Sequence, residues 1–325
     1  MRAWQVQEHG EPRQVLRRVE VDPPTPQAGE LRVRVEAAAV GLPDVFMCRG
    51  SYPLTPPLPF ICGQEVCGVV DAVGDGVAAH VGSRVMGVTN FFDGRGGFAE
   101  ETILSPKTAF RVPDGMMPTV AAAFRIGYST AWTALVERCG LLRGETLVVL
   151  GGAGGSGSSA IQLGRALGAT VLAVAAGPEK SEFCRRLGAE TVIDRTTSSV
   201  RDGILAATDG RGADVVFDPV GGDVASDALR ALTNFGRFLV VGFASGKWVR
   251  INGGELTMSS RSVIGVIASS GTAEQQAQAH ESLLELAARG DLNPVVHPIP
   301  FEDLPAGVEA VAEANVMGKG VLEMR

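Results

Sequence analysis

The chain has 325 residues, enough for about two domains, and its 45% hydrophobic and 20% charged residues are typical of a globular protein rather than a disordered one. Its 29 basic and 36 acidic residues give a formal net charge of −7, and no basic run marks a surface for nucleic acid. We expect neither an export signal nor a membrane span, because no apolar run approaches the roughly 18 to 20 residues that cross a bilayer.

The cysteines are odd in number, irregularly spaced and never form a C-x-x-C pair; they are Cys48, Cys62, Cys67, Cys139 and Cys184. This pattern favours reduced, buried thiols and a cytoplasmic protein.

The first 120 residues carry short β-type runs separated by turns rich in glycine and proline. Examples are LRVRVEAAAV at 31–40 and EVCGVVDAVGDGV from Glu65. Such runs predict a β-rich domain of barrel or sandwich character.

From about Thr119, helical patterns alternate with the apolar runs LVVL, TVLAVAA, DVVFDPV and FLVVGFA. This alternation predicts βαβ units and a doubly wound parallel sheet with both faces covered. We expect a late helix over 275–289 and, in VMGKGVLEMR, a strand that returns to the first domain.

The run LVVLGGAGGSGSSAIQLGRALG contains G-x-G-x-x-G at Gly152, Gly154 and Gly157. In a chain with 42 glycines the triplet alone says little, but here an apolar strand precedes it and a helix follows. The glycines let a pyrophosphate approach the backbone N–H groups at the start of the helix. The sequence therefore predicts a dinucleotide site, with Gly155 and Ser156 in the same loop.

The cofactor that this site favours is NADPH. An NAD site usually has an acid at the end of the next strand, where this chain has Gly177 in AVAAGPEK. Lys180 and Arg195 are candidates to bind a 2′-phosphate, although ordinary surface charge explains them too. Glu179 is a dissenting observation, because an acid beside Lys180 also suits an adenosine ribose.

Long motifs in the same order resemble the zinc-free quinone oxidoreductase branch of the medium-chain dehydrogenase/reductase superfamily. They are PLPFICGQEVCGVV, GGFAEE, GYSTAW, GGAGGSGSSAIQLGRALGA, EKSEFCRRLGAETVID, GRGADVVFDPVGGD, GRFLVVGFASG and GKGVL. The resemblance implies an α/β protein with a Rossmann NADP-binding domain at 123–267. It also implies a GroES-like catalytic domain at 1–122 and 268–325, with the active site in the cleft between them.

The resemblance also implies that the chain is metal-free. The catalytic zinc ligands of related alcohol dehydrogenases correspond here to Gly41, Gln64 and approximately Ile126, none of which offers a thiolate, imidazole or carboxylate. The lobe of four cysteines for structural zinc is missing too. Without a Lewis acid, the acceptor has to spread the incoming negative charge itself, as quinones and α,β-unsaturated carbonyls do.

The resemblance places Tyr52 at a cleft-lining tyrosine, so it is our candidate proton donor, although it also fits a packing aromatic. The candidate pocket residues are Gly41, Phe46, Phe91, Phe92 and Arg125. Relatives usually have Asn at Gly41 and proline at Arg125, so substrate preference does not transfer in detail. For Arg125 we consider an anionic substrate group and, with more weight, a surface salt bridge.

Further cofactor contacts carried over by motif are Thr130, Gly242, Phe243, Ala244, Ser245, Val266, Ile267 and Ala268. All of them also fit ordinary strand ends.

We expect an NADPH:quinone oxidoreductase, with reduction of an enone or enoyl thioester as the nearest alternative. An NADPH-binding structural or redox-sensing protein without turnover is the alternative of another class, favoured by the loss of Asn at Gly41. A short-chain dehydrogenase is excluded, because neither Tyr52 nor Tyr128 has a lysine four residues on. The resemblance and the apolar run RSVIGVIAS from Arg261 predict a homodimer.

Overall fold

A computed structural model describes residues 1–268 and 271–324 of the chain. It consists of two compact units. The first comprises Met1–Ile126 and the segment from Pro294 onward, and the second comprises Gly127–Asn293. The segment 268–293, which we expected in the catalytic domain, therefore belongs to the second unit, where Gln162 hydrogen-bonds to the backbone of Asn293.

The strands are β1 (Arg2–Val6), β2 (Leu16–Glu20), β3 (Leu31–Val40), β4 (Phe60–Ile61), β5 (Glu65–Val73), β6 (Arg84–Thr89), β7 (Glu101–Arg111), β8 (Thr146–Val149), β9 (Thr170–Ala175), β10 (Thr191–Asp194), β11 (Ala213–Asp218), β12 (Leu232–Val240), β13 (Ser262–Gly265), β14 (Val296–Pro300) and β15 (Lys319–Glu323). The α-helices are α1 (Pro12–Val15), α2 (Leu42–Cys48), α3 (Pro118–Ala122), α4 (Arg125–Trp132), α5 (Gly155–Ala166), α6 (Pro178–Arg186), α7 (Val200–Ala207), α8 (Gly222–Arg230), α9 (Gly253–Ser259), α10 (Ala273–Ala288) and α11 (Leu304–Ala312). None of these helices is long and apolar enough to span a membrane, and this holds only for the described residues.

The first unit is built around a six-stranded sheet in the order β14-β15-β3-β5-β6-β7. Strand β3 also pairs with β7, so β3, β5, β6 and β7 close on themselves as a barrel. The alternating burial of β3 fits this closure, since Leu31, Val33 and Val35 are buried and the side chains between them are less so. β15 pairs antiparallel with β3, which confirms the expected return of the tail to the first domain.

The second unit contains a six-stranded parallel sheet in the order β10-β9-β8-β11-β12-β13. This is the Rossmann strand order, in which the strand order reverses between β8 and β11. Every residue of β8 is buried, as expected for a central parallel strand with helices on both faces. The carboxyl ends of all six strands therefore lie along one edge of the sheet.

Strand β13 forms the outer edge of this sheet. It occupies Ser262–Gly265 within the run RSVIGVIAS, whose last residue, Ser269, is outside the described residues. Large apolar side chains of the second unit are exposed; among them are Phe235, Trp248, Ile251, Met258 and Ile267.

Candidate active site

The residues that we predicted to bind the cofactor collect at the carboxyl edge of the parallel sheet. The glycine loop follows β8, Gly177 and Lys180 follow β9, and Arg195 follows β10. The segment 242–245 follows β12, and the segment 266–268 follows β13. In a doubly wound sheet this edge is where ligands bind, next to the point at which the strand order reverses.

The glycine loop has the shape that a phosphate site needs. A Cβ on Gly157 would lie 2.2 Å from the carbonyl oxygen of Gly151, so only glycine fits there. Gly154, by contrast, is exposed, and a Cβ on it would approach nothing closer than 3.5 Å, again the Gly151 oxygen. Helix α5 begins directly after Gly154, which offers no side-chain cap, so the first N–H groups of the helix remain for a ligand.

The loop after β9 is fixed by the strand beside it. Gly177 has φ +83° and ψ 168°, a conformation almost restricted to glycine. Its N–H donates a hydrogen bond to Asp194 Oδ1 at 3.0 Å, and the N–H of Arg195 donates to the Ala175 oxygen at 3.0 Å. The backbones that carry Lys180 and Arg195 are thereby tied together at the end of two neighbouring strands.

Helix α4 reaches the start of the glycine helix. The space for a Cβ on Gly127 is taken by Ser159 Oγ at 2.6 Å, so the glycine allows α4 and α5 to pack closely. Thr130 is half-buried and lies about one turn further along α4. The cofactor contact that the motif suggested for Thr130 stays a prediction.

The sequence reasoning missed the loop after β11, which lies between the glycine loop and the end of β12. Asp218 is fully buried, and its Oδ1 accepts hydrogen bonds from the N–H groups of Val220 and Gly221, both at 2.8 Å. Burial raises the pKa of Asp218 to about 6. The Gly242 N–H donates to the Asp218 backbone oxygen at 3.1 Å, so this aspartate links the loops that follow β11 and β12. The run DVVFDPVGGD, a strand end followed by glycines, was the signal for it.

In the first unit, Asp44 joins the two segments that carry positions 41 and 64. Its Oδ2 accepts from the Gly41 N–H at 2.8 Å, and its Oδ1 accepts from the Gly63 N–H at 2.9 Å. Asp44 is buried, which raises its pKa to about 6, while the charge of Lys319 acts in the opposite direction. The aspartate therefore fixes the geometry around Gly41.

Glu65 is a second buried acid in this unit, with 1% of its side chain exposed. Its Oε1 accepts from the Ile126 N–H at 2.8 Å, and its Oε2 lies 3.7 Å from Lys319 Nζ. Burial raises the pKa of Glu65, and the charges of Lys319 and Arg125 partly offset that shift. Neither Glu65 nor Lys319 was singled out from the sequence.

Arg125 is buried and not a surface residue, which corrects the interpretation as a surface salt bridge. Its exposed fraction is 5%, and its guanidinium carbon lies 4.5 Å from the centroid of the Phe110 ring. Burial lowers the pKa of Arg125, and the charge of Glu65 raises it. Stacking on an aromatic ring beside a buried carboxylate is a packing role for the guanidinium.

The candidate pocket aromatics occupy different environments. Tyr52 is half-buried against the core of the first unit, and its N–H donates to the Phe46 oxygen at 3.2 Å. Phe91 is buried, whereas Phe92 is 58% exposed and packs edge-on against Phe91 with 5.6 Å between centroids. The structure therefore brings these candidates together in two pairs, Phe46 with Tyr52 and Phe91 with Phe92.

The described residues contain no cluster of three or more His, Cys, Asp or Glu side chains arranged to hold a metal ion. The side chains at positions 41, 64 and 126 are those of glycine, glutamine and isoleucine. The metal-free site stays a prediction that rests on these residue types.

Two family models match the chain. Residues 27–114 match the alcohol dehydrogenase GroES-like domain, and residues 155–288 match the zinc-binding dehydrogenase model. Although the second model is named for zinc binding, the range that it matches does not include positions 41, 64 and 126, which correspond to the catalytic zinc ligands of related enzymes.

Curated relatives include the quinone oxidoreductase of Rattus norvegicus, which is 30% identical over 325 residues, covering 99% of this chain and 97% of the relative. A quinone oxidoreductase-like protein 2 homolog of Nematostella vectensis is 34% identical over 239 residues, covering 73% of this chain and 64% of the relative.

Solved structures with the same fold include a mycobacterial protein complexed with NADPH, at 29% identity and a TM-score of 0.91 over 99% of this chain and 100% of that one. The quinone oxidoreductase of Pseudomonas syringae has 28% identity and a TM-score of 0.91, covering 99% of each chain.

A GroES-like barrel and a Rossmann sheet in one chain define an oxidoreductase of the kind that uses a nicotinamide dinucleotide. The chain belongs to the medium-chain dehydrogenase/reductase superfamily, as a quinone oxidoreductase-like member.

Proposed function

We propose that this protein is an NADPH-dependent oxidoreductase that transfers a hydride to a quinone without using a metal. The observation that carries the proposal is the carboxyl edge of the parallel sheet, where the glycine loop and the segments after β9, β10, β12 and β13 converge. The relatives named quinone oxidoreductase and the NADPH complex of a similar structure support it.

NADPH is preferred over NADH because the end of β9 lacks an acid. Gly177 occupies that position, and Lys180 and Arg195 supply positive charge nearby. A 2′-phosphate would meet two cations there, and the nearby Asp194 carboxylate is already bonded to the Gly177 N–H. In this proposal the dinucleotide lies along the glycine loop, the start of helix α5 and the strand ends. Its pyrophosphate is bound by Gly152, Gly154, Gly155, Ser156 and Gly157.

The acceptor is a molecule that spreads negative charge by conjugation, because none of positions 41, 64 and 126 offers a zinc ligand. Quinones meet this requirement, and enones or enoyl thioesters are the second candidate class. We place the acceptor pocket at Gly41, Phe46, Tyr52, Phe91 and Phe92, with Tyr52 as a proton donor. Phe46 and Tyr52 are linked by a hydrogen bond between their backbones, so they lie close together in the first unit.

We also propose that the protein is a cytoplasmic homodimer. Among the described residues, no strand pairs with the outer edge of β13, and apolar side chains including Trp248 and Met258 are exposed in the same unit. Pairing with a second copy covers such an edge. A monomer in sedimentation at micromolar concentration would contradict this part of the proposal.

The test is NADPH oxidation by the purified protein with a benzoquinone and with a cyclic enone, compared with NADH at equal concentration. We expect steady oxidation of NADPH with the quinone and a lower kcat/KM with NADH. Binding of NADPH without oxidation by any acceptor would favour a protein that binds the dinucleotide without turnover. Failure to bind either dinucleotide would refute the proposal.

A further inference from the structure

Lys319, Gly41 and Glu65 lie at the same end of three neighbouring strands in the first unit. Gly320 of β15 pairs with Val40 of β3, and Glu65 of β5 pairs with Ala39 of β3. Lys319 and Glu65 therefore flank the end of β3 from opposite sides. The ammonium and the carboxylate lie 3.7 Å apart across the end of that strand.

The space beside Gly41 is occupied by the lysine ammonium. A Cβ built on Gly41 would lie 3.6 Å from Lys319 Nζ and 3.9 Å from Asp44 Oδ2. A longer side chain at position 41 would compete with the ammonium for this space. A single Cβ would make only an ordinary contact with the ammonium, so the conflict begins with the atoms beyond it.

The N–H donors of the ammonium are available to a ligand. Throughout residues 1–268 and 271–324, no protein group accepts a hydrogen bond from Lys319 Nζ, whose ion pair with Glu65 is longer than a hydrogen bond. A lysine ammonium has three donors. The side chain is 20% exposed, so a small molecule can reach it.

The surrounding charges keep the ammonium in place. Glu65 is fixed by the Ile126 N–H, and Asp44 is fixed by the N–H groups of Gly41 and Gly63. These carboxylates are almost fully buried and attract the cation, whereas Arg125, on the other side of Glu65, adds a like charge. The chain thus places a fixed positive charge beside position 41.

We propose that Lys319 is a catalytic residue of the hydride transfer, donating a hydrogen bond from Nζ to the acceptor oxygen as that oxygen becomes negative; this inference rests on the proposed function. NADPH supplies the hydride and becomes NADP⁺. The acceptor gains the hydride at one end of its conjugated system, and its π electrons shift onto the carbonyl oxygen. A proton from Tyr52, which solvent then replaces, neutralises that oxygen. The ammonium stabilises the charge between these two events.

The acceptors depend on this cation to different degrees. A simple enone concentrates the negative charge on one oxygen, whereas a reduced quinone is an aromatic phenolate whose ring shares the charge. Loss of the ammonium therefore slows enone reduction more than quinone reduction. This difference separates charge stabilisation from a structural role, which would affect both acceptors alike.

The kinetic test compares Lys319→Met and Lys319→Arg with Lys107→Met, which removes an exposed lysine of the same unit. Removing one oxyanion donor typically lowers kcat by a factor of about 100. We expect a loss of that order for Lys319→Met with cyclohexenone, a loss below roughly tenfold with benzoquinone, partial rescue by Arg, and unchanged affinity for NADPH. Equal losses with both acceptors, or none, overturn the inference.

A second variant protects the test against misfolding. Lys319→Met alone leaves the buried Glu65 carboxylate without its ion pair to the lysine, which could destabilise the fold. The double variant Glu65→Gln/Lys319→Met removes both charges of this pair and keeps similar side-chain volumes. We expect the double variant to fold and to show the same selective loss with cyclohexenone. Full enone activity in this variant overturns the inference.

A binding measurement without turnover uses para-nitrophenol as a mimic of the oxyanion. We expect the absorbance titration of the bound phenol to show an apparent pKa lower by about one unit in the unmodified protein than in Lys319→Met. Asp44, Glu65 and Arg125 are present in both proteins, so the difference reports on Lys319 alone. Identical titrations, including those caused by a lack of binding, overturn the inference. A shift in a protein that oxidises no NADPH would instead refute the proposed function and leave the oxyanion site standing.

Discussion

Asp194 accepts a hydrogen bond from the Gly177 N–H at 3.0 Å, so the carboxylate at the end of β10 holds the loop that follows β9. The same Oδ1 accepts from the Thr196 N–H at 2.9 Å and from its hydroxyl at 2.7 Å, and these bonds lower the pKa of Asp194. A carboxylate used in this way fixes the backbone of the loop that carries Gly177. We propose that the positive charges of Lys180 and Arg195 then favour NADPH over NADH.

Replacing Lys180 or Arg195 with Gln is expected to weaken NADPH binding selectively. A charge-assisted hydrogen bond to a phosphate contributes about 1.5 to 3 kcal/mol, so each change should raise the Kd for NADPH by roughly tenfold or more. NADH has no 2′-phosphate, so its Kd should not change. Fluorescence titration with both dinucleotides measures this, with Arg185→Gln on the same helix as the control. Equal weakening of both dinucleotides would contradict a 2′-phosphate site.

Two alanine substitutions in the glycine loop should differ in their effect on stability, although both should weaken NADPH binding. A methyl group on Gly154 meets no atom closer than 3.5 Å, so Gly154→Ala should fold normally yet lose NADPH affinity, because the methyl occupies the space of the pyrophosphate. A methyl group on Gly157 would lie 2.2 Å from backbone oxygen, so Gly157→Ala should lower the Tm as well. Thermal melts and NADPH titrations on both variants test this. Normal NADPH affinity in Gly154→Ala would place the phosphates elsewhere.

The burial of Asp218 predicts a dependence of stability on pH. Its folded-state pKa of about 6 lies above its ordinary value of 3.8, so its contribution is fully present below pH 3.8 and is lost as the pH rises through 6. Asp218→Asn keeps an oxygen for the Val220 and Gly221 N–H groups and removes the buried charge. At pH 8 this variant should gain up to about 3 kcal/mol in free energy of unfolding, and at pH 3.5 little.

Urea unfolding at several pH values measures this gain, with Asp227→Asn as the control because Asp227 is a half-exposed carboxylate on α8. The pKa of Asp44 is also raised, and Asp44 is still present in the Asp218→Asn variant. Part of the pH dependence of stability should therefore persist in that variant. A uniform change at all pH values would show that Asp218 is charged throughout.

Replacing Arg125 with Ala should reduce stability rather than alter the choice of acceptor. The guanidinium stacks on Phe110 and neighbours Glu65, and a desolvated cation–π contact contributes about 2 kcal/mol. We expect a lower Tm and equal reductions of kcat/KM for neutral and carboxylate-bearing quinones. A loss confined to the anionic quinone would instead establish Arg125 as an anion-binding residue.

The parts of the site that the sequence predicts are those determined by local patterns. Glycine spacing after an apolar strand identifies the loop at Gly152–Gly157, and strand ends locate Gly177, Arg195 and the segment 242–245. All of these follow from rules that operate within a few residues or between consecutive strands. The order of the second unit's sheet is also predictable, because the family motifs run in sequence.

The parts that were missed depend on contacts between distant segments. Lys319 becomes a candidate only when β15 is known to lie beside β3 and next to Gly41, and no local pattern marks that register. Asp44 and Glu65 look like ordinary surface acids in the sequence, but the barrel buries them. The burial of Arg125 likewise requires the ring of Phe110, which comes from the neighbouring strand β7.

The placement of β15 inside the sheet of the first unit determines the order of events during synthesis. Trp4 Nε1 donates to the Phe301 oxygen across 297 residues, and β15, which is translated later still, pairs with both β14 and β3. On the ribosome, the Rossmann unit is therefore complete before the barrel unit can be, and the growing chain carries an unpaired β3 edge in the meantime. Chaperone dependence and aggregation should accordingly arise from the barrel half of the nascent chain.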